Sequence, residues 1–369
     1  MKSARESVLI VHRWTGLTVG IVLMAVALTG LSMVFRPQLE PRLERALNEV
    51  ATCSQRMKLD DLADRAHAAH PHGAIRQVEL AHGAYGATVL RFVDNMGVYI
   101  DPCSGRVLGM QDRWGGVFGT IEYLHRLRFL HNTDLSETVL GTLSLTLAFV
   151  MVVGGLVAWW PSTRRQWKNA WKLRWKLNGA AFELNLHRTY GAYAAIVILA
   201  ATLASLTFVF DWARTVAYTV TGSAAPPRKP HSAQQAGDPA SLEQYLGKTL
   251  ATVPDAADIT LVLPKKKGDA VEATIIEREA PHPNARTMLY LDAHTADVLR
   301  FEPYAKASPG FKACRWLASL HMGYIGGVFG QILLFAGILA VPVLGFTGIR
   351  AWLRRRAPQA ERRFIKQTA

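Results

Sequence analysis

Four long stretches without a charged side chain decide what this chain can fold into. Trp14 to Phe35 is 22 residues, Thr138 to Thr163 is 26, Thr189 to Phe210 is 22, and Trp316 to Ile349 is 34, with His321 near its start. About 20 apolar residues in a helix cross the hydrocarbon core of a bilayer, so each stretch suffices. Half of the 369 residues are hydrophobic, which is unusual for a soluble enzyme. The expected fold class is a membrane protein with four transmembrane α-helices.

The charges orient those helices. Lys2, Arg5 and Arg13 precede the first span, and Arg164, Arg165, Lys168, Lys172, Arg174 and Lys176 lie between the second and third. Arg350, Arg354, Arg355, Arg356, Arg362, Arg363 and Lys366 follow the fourth. Only Glu6, Glu183 and Glu361 oppose them, so nearly all of the chain's net charge of +14 lies in three short segments. The positive-inside rule then places both termini in the cytoplasm and the two long loops outside. A nucleic-acid partner is not expected, because this charge lies along one membrane face, where the lipid bilayer and its anionic headgroups are the natural partner. The first span is too long for a signal-peptide core, and "RPQLEPRLER" follows it in place of a small-residue cleavage site; it is expected to be an uncleaved anchor.

The two external loops carry α+β patterns. In the first, "LDDLADRAHAAHP" has helical spacing, and "IRQVELA", "ATVLRFV" and "GVYIDPCSGRVLGM" alternate as strands do. In the second, "SLEQYLGKTLATVP" is the helix, and "DITLVLP", "AVEATIIER" and "TMLYLDAHTADVLRF" are the strands. A Pro/Ser/Gly/Ala-rich segment, 222–240, reads as a flexible linker. The spans repeat too. His12 and Gly16 in "VHRWTG" match His187 and Gly191 in "LHRTYG", while "LHRLRF" around His125 and "LHMGYI" around His321 precede spans two and four. The chain therefore reads as an internal duplication of span, external unit and span. Its expected parts are an N-terminus with the first transmembrane helix (1–35), a first α+β unit (36–137), a second helix (138–163) and a basic loop (164–186). A third helix (187–210), a linker with a second α+β unit (211–324), a fourth helix (325–350) and a basic tail (351–369) complete it.

The His-Arg-x-x-Gly openings of spans one and three, the "DPCSGRVLG" ending of the first external unit, and the Leu-His openings of spans two and four resemble the PepSY-associated transmembrane proteins over about residues 5–355. The resemblance implies a bacterial inner-membrane protein, often iron-regulated, with two periplasmic PepSY-like α+β units, in a family that includes haem-bearing ferrisiderophore reductases. Some relatives carry an appended flavin reductase domain, for which the segment after span four has no room.

The histidines fit such chemistry. His12 and His187 fall at the cytoplasmic mouths of spans one and three; His125, His131 and His321 fall at the external mouths of spans two and four. Polar groups in membrane helices mark pathways or cofactors, and two histidines at one depth can supply both axial ligands of a haem iron, which leaves it fit for electron transfer. Gly16 and Gly191, one turn beyond His12 and His187, would clear room for a porphyrin, and Arg13 and Arg188 would pair with its propionates. At the outer pair, His321 matches His125 in the repeat, and His131 is the second candidate. With no C-x-x-C-H for covalent attachment, two b-type haems are expected. The same histidines also suit a simpler role as interfacial anchors, and the glycines one as helix-packing positions.

Other features are weaker. His67, His70 and His72 have a spacing that could hold a metal, but they sit at a helix end where a solvated surface is the better reading. Cys53 and Cys103 share the first external unit and could bridge, which would leave Cys314 unpaired. Trp167, Trp171 and Trp175 at four-residue intervals read as an interfacial amphipathic helix. No nucleophile with a base, phosphate-cradling glycine loop or intramembrane acid chain is present, so hydrolase, kinase and proton-coupled transport are not expected. The expected function is reduction of a periplasmic ferric chelate, such as a ferric siderophore, with electrons from the cytoplasm or from membrane quinol. The alternative is a membrane-anchored peptide-binding or protein-binding regulatory module in which the histidines are incidental.

Overall fold

The structure, a computed structural model, describes residues 4–50, 53, 55–81, 86–232 and 238–368, with side chains as far as Arg354. Lys2, the centre of the expected linker at 233–237, and the side chains of the basic tail from 355 lie outside the described residues. The chain divides into two compact units.

The helical unit takes residues up to Val34, Ile121–Ala213 and Leu320 onward. Three of its helices, Thr133–Trp159, Gly179–Val209 and Gly327–Arg354, are long and apolar enough to cross a membrane; they are spans two, three and four. Span one is a bent pair, Ala4–Thr18 and Gly20–Met33, with an angle of 64° between them. One continuous helix over Trp14–Phe35 was expected, and the bend has a local cause. The Thr18 hydroxyl donates back to the Trp14 carbonyl at 2.9 Å, and Gly20, which has no side chain to pack, begins the second half. Hydroxyl back-bonding and glycine are both established causes of helix kinks. Span two also departs from regularity, winding as a π-helix from Thr146 to Val153.

Lipid removes most of the hydrophobic drive between helices, so membrane bundles hold by close packing and hydrogen bonds. Here the buried positions are mainly small: Ala27, Ala194, Ala195 and Ala340 pack with Val152, Ile198 and Val341. Gly141 and Gly337 mark close approaches. A methyl group on Gly141 would overlap the Phe210 ring, and one on Gly337 would overlap Val197 of span three. The Gln331 amide donates to the Val34 carbonyl at 2.7 Å, and the Tyr190 hydroxyl to the Ala336 carbonyl.

The second unit, Phe35–Thr120 and Arg214–Ser319, is built on a sheet. Its first half has a helix, Leu59–Ala69, and strands β1 (Ile75–Leu80), β2 (Thr88–Phe92), β3 (Met96–Ile100) and β4 (Val107–Asp112). Its second half has a helix, Leu242–Thr252, and strands β5 (Ala256–Val262), β6 (Val271–Glu277), β7 (Arg286–Leu291) and β8 (Val298–Glu302). The helix and strand readings of both loops hold, but the two expected small units are one body. β1 pairs antiparallel with β5, giving an eight-stranded sheet in the order β4-β3-β2-β1-β5-β6-β7-β8. Both helices share one core with it, in which Leu62, Leu90 and Phe92 join Leu246, Leu261 and Leu289. A four-stranded half alone would leave β1 as an open edge with unpaired backbone groups, which explains the fusion. Cys53 and Cys103 are bridged, with Cα atoms 5.9 Å apart, and Cys314 is buried and free.

The segment expected to be a flexible linker is tied down where it is described. The Ala293 N–H donates to the Ser232 hydroxyl at 2.9 Å, and Ala240 N–H to the Ala293 carbonyl.

Candidate functional site

Within the helical unit the structure brings together His12 of span one and His187 of span three. Their ring centres are 6.4 Å apart and the ring planes are nearly perpendicular, at 84°. Imidazole nitrogens bind first-row metals at about 2.0 Å, which puts the centres of two rings bound on opposite sides of one ion at about 6.3 Å. The observed separation fits one ion between the rings.

Hydrogen bonds fix the chemical form of these rings. His12 Nδ1 lies 3.4 Å from the Val150 carbonyl, inside the π-helical segment of span two. A carbonyl only accepts, so Nδ1 carries the proton and Nε2 keeps its lone pair. His187 Nδ1 lies 2.9 Å from the Thr347 hydroxyl of span four. With its proton on the Val343 carbonyl at 2.9 Å, that hydroxyl accepts from His187, and Nε2 is then the ligand atom. Such pinning of one ring nitrogen orients the other toward a metal.

The other two membrane histidines are pinned at Nδ1 in the same way. His125 ends the helix Gly116–His125, and its Nδ1 lies 3.0 Å from the Val26 carbonyl of span one and 3.1 Å from the Thr29 hydroxyl. His321 ends the helix Pro309–His321, and its Nδ1 lies 2.9 Å from the Ala201 carbonyl of span three. Val26 and Ala201 stand equal numbers of residues beyond His12 and His187. His131 is not part of this pair: it is exposed, on a left-handed turn between Leu130 and span two.

Glycines back three of the four rings. A methyl group on Gly155 would stand 3.1 Å from His12, one on Gly30 3.1 Å from His125, and one on Gly348 3.5 Å from His187. A cavity of about 390 Å³ adjoins the first pair, lined by His12, Arg13, Gly16, Met151, His187 and Gly348 among others; that volume lies within the range of small-molecule sites. Gly16 and Arg13 therefore line the cavity beside His12. Gly191 and Arg188 do not. Gly191 packs on Leu344, and Arg188, about 100° round the helix from its neighbour His187, opens onto a different cavity. Gly345 and Gly348 of span four line the first cavity instead.

The remaining candidates settle elsewhere. His67 and His70 both lie edge-on against Phe92, with ring centres 5.3 and 4.7 Å from it, and His70 pairs with Asp94 at 2.9 Å. Among the described residues no three His, Cys, Asp or Glu side chains gather as a metal site. The Trp-bearing loop is not one amphipathic helix. It is helical only over Arg164–Ala170, after which Asn185 accepts from the Arg174 N–H at 2.7 Å and donates to the Lys172 carbonyl, holding a turn.

The model of the PepSY-associated TM region matches residues 9–355. The chain belongs to this family. No curated protein matches this PepSY-associated chain. The family match and the apolar helices together make it a membrane protein with a sheet domain. Sequence reasoning missed Thr347, Thr29, Gly30, Gly155 and the π-helix. The one signal for them was hydroxyl and glycine residues clustered inside otherwise aliphatic spans.

Proposed function

We propose that this protein is an inner-membrane electron carrier that holds two b-type haems and reduces ferric chelates, such as ferric siderophores, outside the cytoplasm. One observation carries the proposal: all four membrane histidines have Nδ1 engaged by a group on a neighbouring span, which leaves each Nε2 for a metal, and the rings of His12 and His187 stand together. His12 and His187 would hold one haem, and His125 and His321 the other. A haem held by a pair of histidines would supply one-electron transfer. The protein's part is to fix the tautomer and angle of each imidazole through Val150, Thr347, Val26 and Ala201, and to provide clearance through Gly155, Gly348 and Gly30. Arg13, on the wall of the first cavity, would meet a propionate.

The charge distribution of the loops supports cytoplasmic termini, and the Cys53–Cys103 bridge supports an oxidising compartment for the sheet unit. The electrons would come from a cytoplasmic reductant or membrane quinol. Equivalent hydrogen bonds of His125 to Val26 and of His321 to Ala201, with the helix-and-four-strand order in both halves of the sheet, support an internal duplication with two PepSY-like units.

The test is spectroscopic. Protein expressed with ample haem and purified in detergent should show a b-type spectrum that sharpens on dithionite reduction, at about two haems per chain. His12→Ala or His187→Ala should remove about half of it, and so should His125→Ala or His321→Ala. A colourless protein would overturn the proposal. An unchanged spectrum in the four variants would overturn the ligand assignment.

A further inference from the structure

A second cavity, of about 610 Å³, opens in the helical unit where span two ends. Its wall includes Arg5, Arg165, Arg174 and Arg188 with Trp159 and Trp160, and no aspartate or glutamate. Arg5 is occupied: its guanidinium donates to the Ala158 and Trp160 carbonyls at 2.7 and 3.0 Å and closes the end of span two. The other three are not. Among the described residues no acid or carbonyl takes the guanidinium of Arg165, Arg174 or Arg188. Glu183, the acid of this loop, is held by Arg350 and Arg354 at 3.3 and 3.0 Å.

Three unpaired guanidiniums around one opening repel each other until an anion joins them. The backbone and the aromatic wall beside them are held in place. Asn185 fixes the Arg174 backbone, and Trp159, Trp160 and Trp167 pack edge to face with ring centres 4.9 to 5.8 Å apart. Trp159 is only 6% exposed, and its indole N–H is buried without an acceptor. Burying a donor unsatisfied is costly, and such groups in folded proteins call for an explanation. The cavity thus combines three exposed, unpaired cations with an ordered aromatic wall. Guanidinium forks match the oxygens of a phosphate better than point charges do, and the volume exceeds what a bare phosphate fills.

We propose that this cavity binds the phosphate group of a phosphate ester on Arg165, Arg174 and Arg188. The ester is either an anionic phospholipid headgroup or a soluble molecule; the site stands whether or not the chain carries haem.

The test uses the full chain in dodecyl maltoside with two probes, phosphatidylglycerol followed by native mass spectrometry, and glycerol 3-phosphate followed by calorimetry. Arg165→Gln, Arg174→Gln and Arg188→Gln are combined in one variant. The control combines Arg164→Gln, Lys168→Gln and Lys176→Gln, an equal charge change on the same loop away from the cavity wall. The cavity variant should bind about tenfold more weakly or worse while the control binds as wild type. Arg188→Lys, which keeps the charge but not the fork, should fall between. This pattern with phosphatidylglycerol identifies a lipid headgroup, and with glycerol phosphate a soluble ester. Equal weakening in both combined variants, or no binding of either probe to wild type, would overturn the site.

Discussion

Asp60 and Glu243 each cap the helix to which the other belongs. The Asp60 carboxylate accepts from the Leu242 and Glu243 N–H groups at 2.9 and 3.2 Å, and Glu243 accepts from the Leu59 N–H at 2.8 Å. Helix starts leave backbone donors unpaired, and side-chain acceptors commonly satisfy them. Lys58, which precedes the first helix, makes no side-chain cap, whereas Ser241 already caps the second in a capping box with Gln244. The exchange is therefore unequal in effect.

Glu243→Ala should destabilise the sheet unit more than Asp60→Ala. Loss of a cap costs about 1 kcal/mol, and Ser241 remains to cover for Asp60. Nothing covers for Glu243, whose removal also strands the largely buried Arg56 guanidinium, now paired with it at 2.7 Å. Expected losses are about 0.5–1 kcal/mol for Asp60→Ala and about 2 kcal/mol for Glu243→Ala. Denaturant unfolding followed by tryptophan fluorescence measures the difference; equal losses would refute the unequal exchange.

Acid should weaken the same unit. Burial pushes the Glu243 carboxyl upward, but the Arg56 hydrogen bond and the Leu59 N–H outweigh it, so its pKa lies below the ordinary value. Asp101 is likewise held down against burial by the Cys103 N–H and the Ser104 hydroxyl. A carboxyl with a depressed folded pKa binds its proton more readily when unfolded. Its contribution is complete above the unfolded values of about 4 and is lost as pH falls through the folded ones. Stability should be level from neutrality down to about pH 5 and then decline, and Glu243→Gln should flatten part of that decline. A thermal-shift series across pH checks this.

Gly337 should tolerate no side chain. A methyl there would overlap the branched carbon of Val197, which cannot swing away as a chain end can. Gly337→Ala should cost about 1–3 kcal/mol, seen as earlier loss of monodisperse protein on heating in detergent. Gly191→Ala is the contrast. Its methyl would meet Leu344 at 3.4 Å, an ordinary contact, and alanine favours helix by up to about 1 kcal/mol, so heating should leave it unchanged or slightly improved.

Reductant should lower the melting temperature through the Cys53–Cys103 bridge. The bridge closes a loop with a sequence separation of 50, for which about 2–4 kcal/mol is the usual contribution. Mass spectrometry after alkylation should find no modified cysteine in the native protein. After unfolding without reductant it should find one, at Cys314.

The spans and strands were legible because their signals are local: charge-free runs, alternation, and the Asp-opened turns at Asp101 and Asp292. The pairing of His12 with His187 was legible as a repeat. Contacts between distant segments were not. Nothing in "IRQVEL" says that it pairs with "ADITLV", and nothing around Glu243 marks it as the cap of another helix. The bend at Val19 was hidden because Thr18 acts through a hydrogen bond that composition does not register. Arg188 lines a different cavity from its neighbour His187 because adjacent helical positions point about 100° apart, a divergence that the shared motif conceals.

The register between β1 and β5 has a consequence for how such a sheet could arise. Val78 lies opposite Leu261, and these two are separated by 183 positions, the same interval that relates Asp60 to Glu243. Leu80 faces Ile259 and Gln77 faces Val262, so the pairing reads alike from either strand. Antiparallel pairing of like strands is isologous. Two identical chains of half this length could close the same eight-stranded sheet about a two-fold axis through that central pair, without shifting a hydrogen bond. Joining both halves in one polypeptide makes the assembly independent of concentration and lets each half carry its own residues, as at Arg56 and Ser241.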